Sequence, residues 1–241
     1  MSNWFEGWFD SKYYHTLYKN RDQKEAQFFI DKLTDFLQIK EDQKILDLAC
    51  GKGRHSIYLN QKGFSVVGAD LSEQSILHAQ QYENEKLKFV VHDMREVLQE
   101  KTFHFVLNLF TSFGYFEKEE EQYKTIHSVE QMLLPNGILV IDFMNAHKVV
   151  KNLVASETKE VDGITFQLKR SIQNGFIIKD ISFTDKGKQY NFQERVKVIN
   201  QSHFESYVKD WDIVNIFGDY QLSQFDIETS DRFILIAKKK N

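Results

Sequence analysis

The stretch "KILDLACGKGRHSIYLNQKGFSVVGADLS", residues 44–72, decides the fold. Its first apolar run, "KILDLA" (44–49), has the length of a buried strand and carries one acid, Asp47. Gly51 and Gly53 then break the run, and "RHSIYLNQK" (54–62) reads as a helix stopped by Gly63. A second apolar run, "FSVVGAD" (64–70), ends on a second acid, Asp70, and Ser72 is placed to cap a helix reaching about Tyr82. Strand, bare turn, helix and strand make a βαβ unit, whose ligands sit beyond the carboxyl ends of the strands.

The pattern continues outward. "LKFVVHD" (87–93), "FHFVLNLF" (103–110) and "ILVIDFM" (138–144) read as three more strands. Glu117 and Glu119–Glu121 suit a helix N-terminus; Ile126, Val129 and Leu133 continue that helix at core spacing, to a stop at "LPNG" (134–137). Upstream, "DQKEAQFFIDKLTDFL" (22–37) places Ala26, Phe29, Ile30, Leu33 and Leu37 on one helical face, with Asp22 and Glu25 as a capping pair. From about residue 155 the signals become those of hairpins. "DG" (162–163), "NG" (174–175) and "DKG" (185–187) separate "ITFQLKRSI", "FIIKDISF" and "QYNFQERVKVI", an antiparallel meander. A helix near 202–210 and the strands "DIVNIFG" (212–218) and "RFILIAKK" (232–239) return the chain to the main sheet.

With 241 residues, of which 41% are hydrophobic and 21 are Phe, the chain suits an aromatic-rich core. The 31 Lys and Arg against 35 Asp and Glu give −4, with no basic block except "KKK" at 238–240. That balance disfavours nucleic acid as a partner. No apolar run approaches membrane-spanning length and "MSNWFEGWFD" lacks a leader pattern, so the expectation is a cytoplasmic protein with no membrane partner. A lone Cys50 excludes an internal disulfide, and the histidines show no HxH or HxxxH spacing, so no metal is expected.

The ligand follows from the order acid, naked turn, acid. Gly51 and Gly53 let backbone amides approach a ligand closely. A dinucleotide pyrophosphate would want GxGxxG, but Ser56 holds the third glycine position. Asp47 just before the turn would repel a pyrophosphate and suits a cationic group. Asp70, 17 residues after Gly53, can accept from two ribose hydroxyls, each such bond worth about 1.5–3 kcal/mol. The ligand read from these residues is a nucleoside with a positively charged, amino-acid-like arm, and S-adenosylmethionine (SAM) meets that description.

"ILDLACGKGRH", "VVGADLS", "FVVHDMRE", "FVLNLFTSFGYF" and "LLPNGILVIDF" resemble the class I SAM-dependent methyltransferases over most of 44–145. Ala49 stands where that family usually has the first glycine of D-x-G-x-G-x-G. The resemblance implies an α/β fold: a Rossmann-like sheet of seven mostly parallel strands, with helices on both faces, formed by 1–150 and 205–241. Residues 1–40 would form an N-terminal helical cap, and 151–204 an antiparallel β insertion over the site. It implies that Asp47, Ala49, Gly51 and Gly53 surround the methionine part, Asp70 and Leu71 the ribose, and Asp93 and Met94 the adenine. Asn108 would line the methionine arm. The N-terminal segment and the meander resemble one subgroup, many of whose members methylate small molecules, amino sugars included. By that likeness Tyr14 would reach the cofactor, and Arg21 would clamp its carboxylate. Phe110, Thr111, Ser112 and Tyr115 would face the acceptor, with Tyr190 and Arg195 lining the lid.

Each of these residues also has a plainer reading. Asp47, Asp70 and Asp93 could cap turns, and the tyrosines, Tyr190 and Arg195 could be packing or surface residues. Tyr14 and Tyr115 are the candidates for catalysis, but no base is singled out, because methyl transfer from a sulfonium rests mainly on positioning. The implied partner is a small-molecule methyl acceptor, with nitrogen or oxygen as nucleophile, on a monomer or homodimer. The alternatives are a non-catalytic SAM sensor or dimerising interaction protein, an RNA methyltransferase, and an NAD-dependent oxidoreductase.

Overall fold

The computed structural model describes residues 4–9, 11–19 and 23–240, with backbone alone for 4–6. Three helices come first: α1 (Trp4–Phe9), α2 (Lys12–Leu17) and α3 (Gln23–Leu37). Asp22, expected to cap α3, lies outside the described residues. The opening stretch then folds as read, into β1 (Lys44–Leu48), α4 (Arg54–Gln61) and β2 (Ser65–Asp70). Next come α5 (Glu73–Ala79), capped by Ser72 accepting from the Ser75 amide, and β3 (Leu87–Val91). β4 (Phe103–Asn108), α6 (Glu119–Met132) and β5 (Leu133–Met144) complete the parallel part, and α7 (Ala146–Lys151) leads away from it.

β3, β2, β1, β4 and β5 lie side by side in that order and parallel; the last strands, β10 (Asp212–Phe217) and β11 (Arg232–Lys238), close the sheet on the far side of β5. β11 is antiparallel to β5, and β10 to β11. Strand order reverses between β1 and β4, which opens a crevice at their carboxyl ends. Both faces are buried, so successive residues feed opposite cores. Ile45, Phe105 and Leu107 pack with Phe29, Ile30 and Leu33 of α3. Leu46, Leu48 and Val106 pack with Ile126 and Val129 of α6 and with Phe204 of α8 (Gln201–Tyr207).

One boundary differs from the sequence reading. "LPNG" does not precede the fifth strand but lies inside it, as an irregularity: Phe103 pairs with Leu133, and Phe105 already with Ile138. Proline is tolerated at a bulge, where no ladder hydrogen bond is asked of it.

The meander forms its own sheet of four strands: β6 (Ser156–Val161), β7 (Ile164–Gln173), β8 (Phe176–Asp185) and β9 (Lys188–Lys197). β6 had not been separated as a strand. The connecting pairs Asp162–Gly163, Asn174–Gly175 and Lys186–Gly187 all have φ between 50° and 78°. Two positive φ values in a two-residue loop are the type I′ turn that right-twisted strands favour. The third loop is one residue shorter than "DKG", because Asp185 pairs with Lys188 in the ladder.

α1 and α2 dock on this sheet. Trp8, Tyr13 and Leu17 are buried with Phe166, Leu168, Ile181 and Phe183. Polar contacts lock the join: the Trp8 indole donates to Glu194 at 2.7 Å, Tyr18 donates to the same carboxylate at 2.7 Å, and Tyr13 donates to Asp185 at 2.8 Å. On the opposite side, Arg195 pairs with Glu117 at 2.8 Å. Val196 comes so close to Gly114 that a Cβ there would meet it at 2.8 Å. Among the described residues no helix is long and apolar enough to cross a membrane.

Candidate cofactor and acceptor site

The turn after β1 alternates in hand: Ala49 (φ 65°), Gly51 (56°) and Gly53 (79°) are all left-handed. The two glycines have different reasons. A Cβ on Gly53 would lie 2.6 Å from the Phe89 ring, whereas one on Gly51 would meet nothing within 4 Å. Gly51 thus presents bare backbone to open space. Its amide donates to Asp70 Oδ2 at 2.7 Å, and the Ser72 amide donates to Oδ1 at 2.9 Å. Asp70 is therefore fixed in place where it lines the cavity.

Asp47 is 1% exposed and lies beneath the turn, where Ser56 Oγ donates to it at 2.5 Å. Burial pushes its carboxyl up from 3.8 to about 6, while hydrogen bonds from the Ser56 hydroxyl and amide pull down and the Asp70 charge adds to the rise. Ser56, noticed only as a break in a glycine pattern, is thus the support for this acid. At the end of β3, Asp93 takes a two-pronged contact from Arg95, the shorter arm 2.6 Å, and Arg95 also reaches Glu121 at 2.5 Å. Burial pushes the Asp93 carboxyl up, but the Arg95 hydrogen bonds outweigh it and hold it below the usual range. Asn108, 2% exposed, donates to Leu48 O at 2.9 Å, and its Oδ1 has no donor among the described residues.

The loop after β4 is held by residues the sequence reading passed over. Phe110 and Thr111 are left-handed, at φ 60° and 72°. The Phe110 amide donates to Asp142 Oδ2 at 3.0 Å, and the Thr111 amide to Asp142 O at 2.9 Å. Arg232 donates to Asp142 Oδ1 at 2.7 Å and to Thr111 Oγ1 at 3.2 Å, and Tyr220 adds a 3.3 Å bond. The signal was present: an acid inside "ILVIDFM" and an arginine opening "RFILIA", on strands that pair.

These elements surround a cavity of about 720 Å³ at the carboxyl edge of the sheet, within the size range of small-molecule sites. One end is made by Ala49, Gly51, Asp70, Leu71, Asp93 and Met94. Phe9, Tyr14, His15 and Tyr18 from α1 and the α2 region, together with Tyr115, form the other. Cys50, Arg54, His55, Phe110 and Ser112 also line it. Burial, with Asp47 and Asp70 nearby, pushes the Cys50 thiol well up, so it stays protonated. Asp47, Gly53, Asn108 and Thr111 sit behind the wall, while Tyr190 packs against Tyr13 and Phe183, away from the lining. Arg195 is engaged with Glu117 and also does not line it. Arg21 lies outside the described residues. Arg54 and His55 are wall residues that the site assignment had not included.

A seven-stranded sheet with this strand order, a glycine turn after β1 and an acid ending β2 define a Rossmann-like, class I methyltransferase fold. Residues 45–137 match the family model described as a methyltransferase domain. A crystal structure of a SAM-dependent methyltransferase from Clostridium acetobutylicum ATCC 824 superposes with a TM-score of 0.81 at 18% identity, covering 95% of this chain and 96% of that one. The putative methyltransferase YqeM of Bacillus subtilis (strain 168) is 37% identical over 116 residues, 47% of this chain and 47% of its own length. The dTDP-3-amino-3,4,6-trideoxy-alpha-D-glucopyranose N,N-dimethyltransferase of Streptomyces venezuelae is 26% identical over 174 residues, 69% of this chain and 72% of that protein. The match to YqeM thus spans about half of that relative.

Proposed function

We propose that this chain moves a methyl group from SAM to a nitrogen or oxygen of a small molecule, with an amine as the favoured acceptor. The observation that carries the reading is one cavity with two unlike ends: fixed acids and bare backbone at one, a wall of aromatic rings at the other. The residues fit the cofactor. Asp70, held by two amides, would take the ribose, and Gly51 leaves room for the arm. Asp93 would meet the adenine with a carboxylate kept ionised by Arg95.

Bound SAM supplies an electrophilic methyl carbon on a sulfonium whose leaving group needs no proton. The protein's task is placement, worth about 7–11 kcal/mol, against about 3–5 kcal/mol for a general base. Tyr14, Tyr115 and Ser112 would orient the acceptor, and the rings favour a cationic centre over their faces. Among the described residues, no carboxylate from α1, α2 or residues 109–116 lines the cavity. An amine that arrives neutral needs no such base, whereas a hydroxyl would, and a relative named for N,N-dimethylation points the same way.

Thermal unfolding tests the cofactor. S-adenosylhomocysteine (SAH) at 100 times its dissociation constant should add about 2.7 kcal/mol, a rise of about 5–10 °C. A shift with NAD and none with SAH rejects the reading. Methyl-labelled SAM offered with panels of small amines, small hydroxyl compounds and RNA then tests the acceptor. Label in RNA alone overturns the small-molecule part, and label in none of the panels points to a sensor.

A further inference from the structure

The register of β8 and β9 sets Lys179 directly opposite Glu194. Both lie on the face that carries Ile181, Phe183, Tyr190 and Phe192, the face on which α1 and α2 are packed. Their side chains are 14% and 15% exposed and stand 3.4 Å apart. A charge pair withdrawn from water is often no more stabilising than apolar residues of the same size, so stability alone does not account for it. Its contacts do. The Glu194 carboxylate accepts from the Trp8 indole at 2.7 Å and from the Tyr18 hydroxyl at 2.7 and 2.8 Å, and Lys179 donates to the same hydroxyl. The phenol proton of Tyr18 is thus turned towards Glu194.

Trp8 and Tyr18 are also two of the rings packed on Tyr14. Trp8 meets it edge-on at 5.6 Å and 84°, and Tyr18 at 5.0 Å and 60°. Phe9 adds an edge contact with Tyr14 at 4.8 Å and rests against Tyr115 at 5.2 Å. Phe9, Tyr14, Tyr18 and Tyr115 line the cavity, whereas Trp8, Lys179 and Glu194 do not. From outside the cavity, one carboxylate therefore grips two of the rings that set how Tyr14 faces into it. A misplacement of about 1 Å can cost a reaction about 100-fold in rate, and Tyr14 is placed no better than the rings around it. We infer that Glu194, with Lys179 as its counter-ion, is a positioning residue for the methyl acceptor and acts through Tyr14. This rests on the methyltransferase reading above.

Two variants test this: Glu194→Gln, which keeps the shape and removes one charge, and Glu194→Gln with Lys179→Met, which removes both. The acceptor used is the amine that takes most label in the panel above. With it, kcat/KM should fall about 10- to 100-fold in both variants, while the dissociation constant of SAH, read by calorimetry, stays within about twofold. The melting temperature should fall in Glu194→Gln, where Glu194 no longer balances the Lys179 charge, and recover in the double variant. The kcat/KM should not recover with it. Recovery of both together makes the pair merely structural and overturns the inference, as does an unchanged kcat/KM or an equal weakening of SAH. Should Glu194→Gln not fold, the double variant is compared with the wild type on kcat/KM and SAH affinity. If the wild type binds SAH but labels no amine, the inference falls with the amine acceptor; if it does not bind SAH, the cofactor reading is rejected as well.

Discussion

Asp47 shows how a single residue's role depends on where its side chain ends up. The acid was legible in "ILDLA", but its neighbours were not, because Ser56 is nine positions away and meets it only once α4 has turned back over β1. The physical consequence is a buried acid whose folded pKa, about 6, exceeds the ordinary 3.8. Between those values the folded chain holds the extra proton, so this contribution to stability falls as pH rises through the window and stays low above it. The full span is about 3 kcal/mol. Asp47→Asn should flatten the melting-temperature difference between pH 4.5 and 7.5 and gain most at pH 7.5; an equal loss at both pH values would mean that the ionised form is needed. Asp70 differs. Asp70→Ala should abolish most of the SAH-induced thermal shift and also lower the melting point without ligand, because the Gly51 and Ser72 amides lose their acceptor. Unchanged SAH affinity in that variant would remove Asp70 from the ribose.

At the level of elements, the alternating strands and helices were readable because periodicity and glycine punctuation report local geometry. "DG" and "NG" announced two hairpins plainly. The third turn places Lys186 at φ 50°, a conformation that asparagine accepts more readily. Lys186→Asn should therefore raise stability by about 0.5–1 kcal/mol, within the range common for such local repairs, and urea denaturation would measure it. What could not be read was pairing between distant strands. Asp142 on β5 and Arg232 on β11 are 90 positions apart, and together they hold the left-handed Phe110–Thr111 pair. Arg232→Met leaves a carboxylate with no exposure to solvent, at a cost of about 3–5 kcal/mol. Adding Asp142→Asn should recover part of that loss, a coupling that a double-mutant cycle reads directly.

For the molecule as a whole, the part of the cavity lining around the glycine turn and the ends of β2 and β3 could be foreseen in the sequence, and the aromatic part could not. The first is built from residues within one continuous stretch, 44–94, whereas the second is assembled from the N-terminal helices, the loop after β4 and the meander beneath them. Glu194 is the tie between two of these, receiving Trp8 and Tyr18 and pairing with Lys179 at 3.4 Å. Glu194→Ala should release α1 and α2, seen as faster proteolytic cleavage before residue 23 while the fragment that follows stays resistant. Cleavage unchanged from the wild type would mean that the apolar contacts of Trp8, Tyr13 and Leu17 suffice.

The docking of α1 and α2 on the meander also has a meaning for how the chain emerges from the ribosome. Tyr18 and Glu194 are separated by 176 positions, so at about 5–20 residues per second the N-terminal helices wait roughly 10–35 s for their partner to be translated. During that interval Trp8, Tyr13 and Leu17 have no meander to cover them, and the nascent chain is a natural client for a holding chaperone. The strands that supply the cover are among the last translated, so the pocket's aromatic wall is finished only near the end of synthesis.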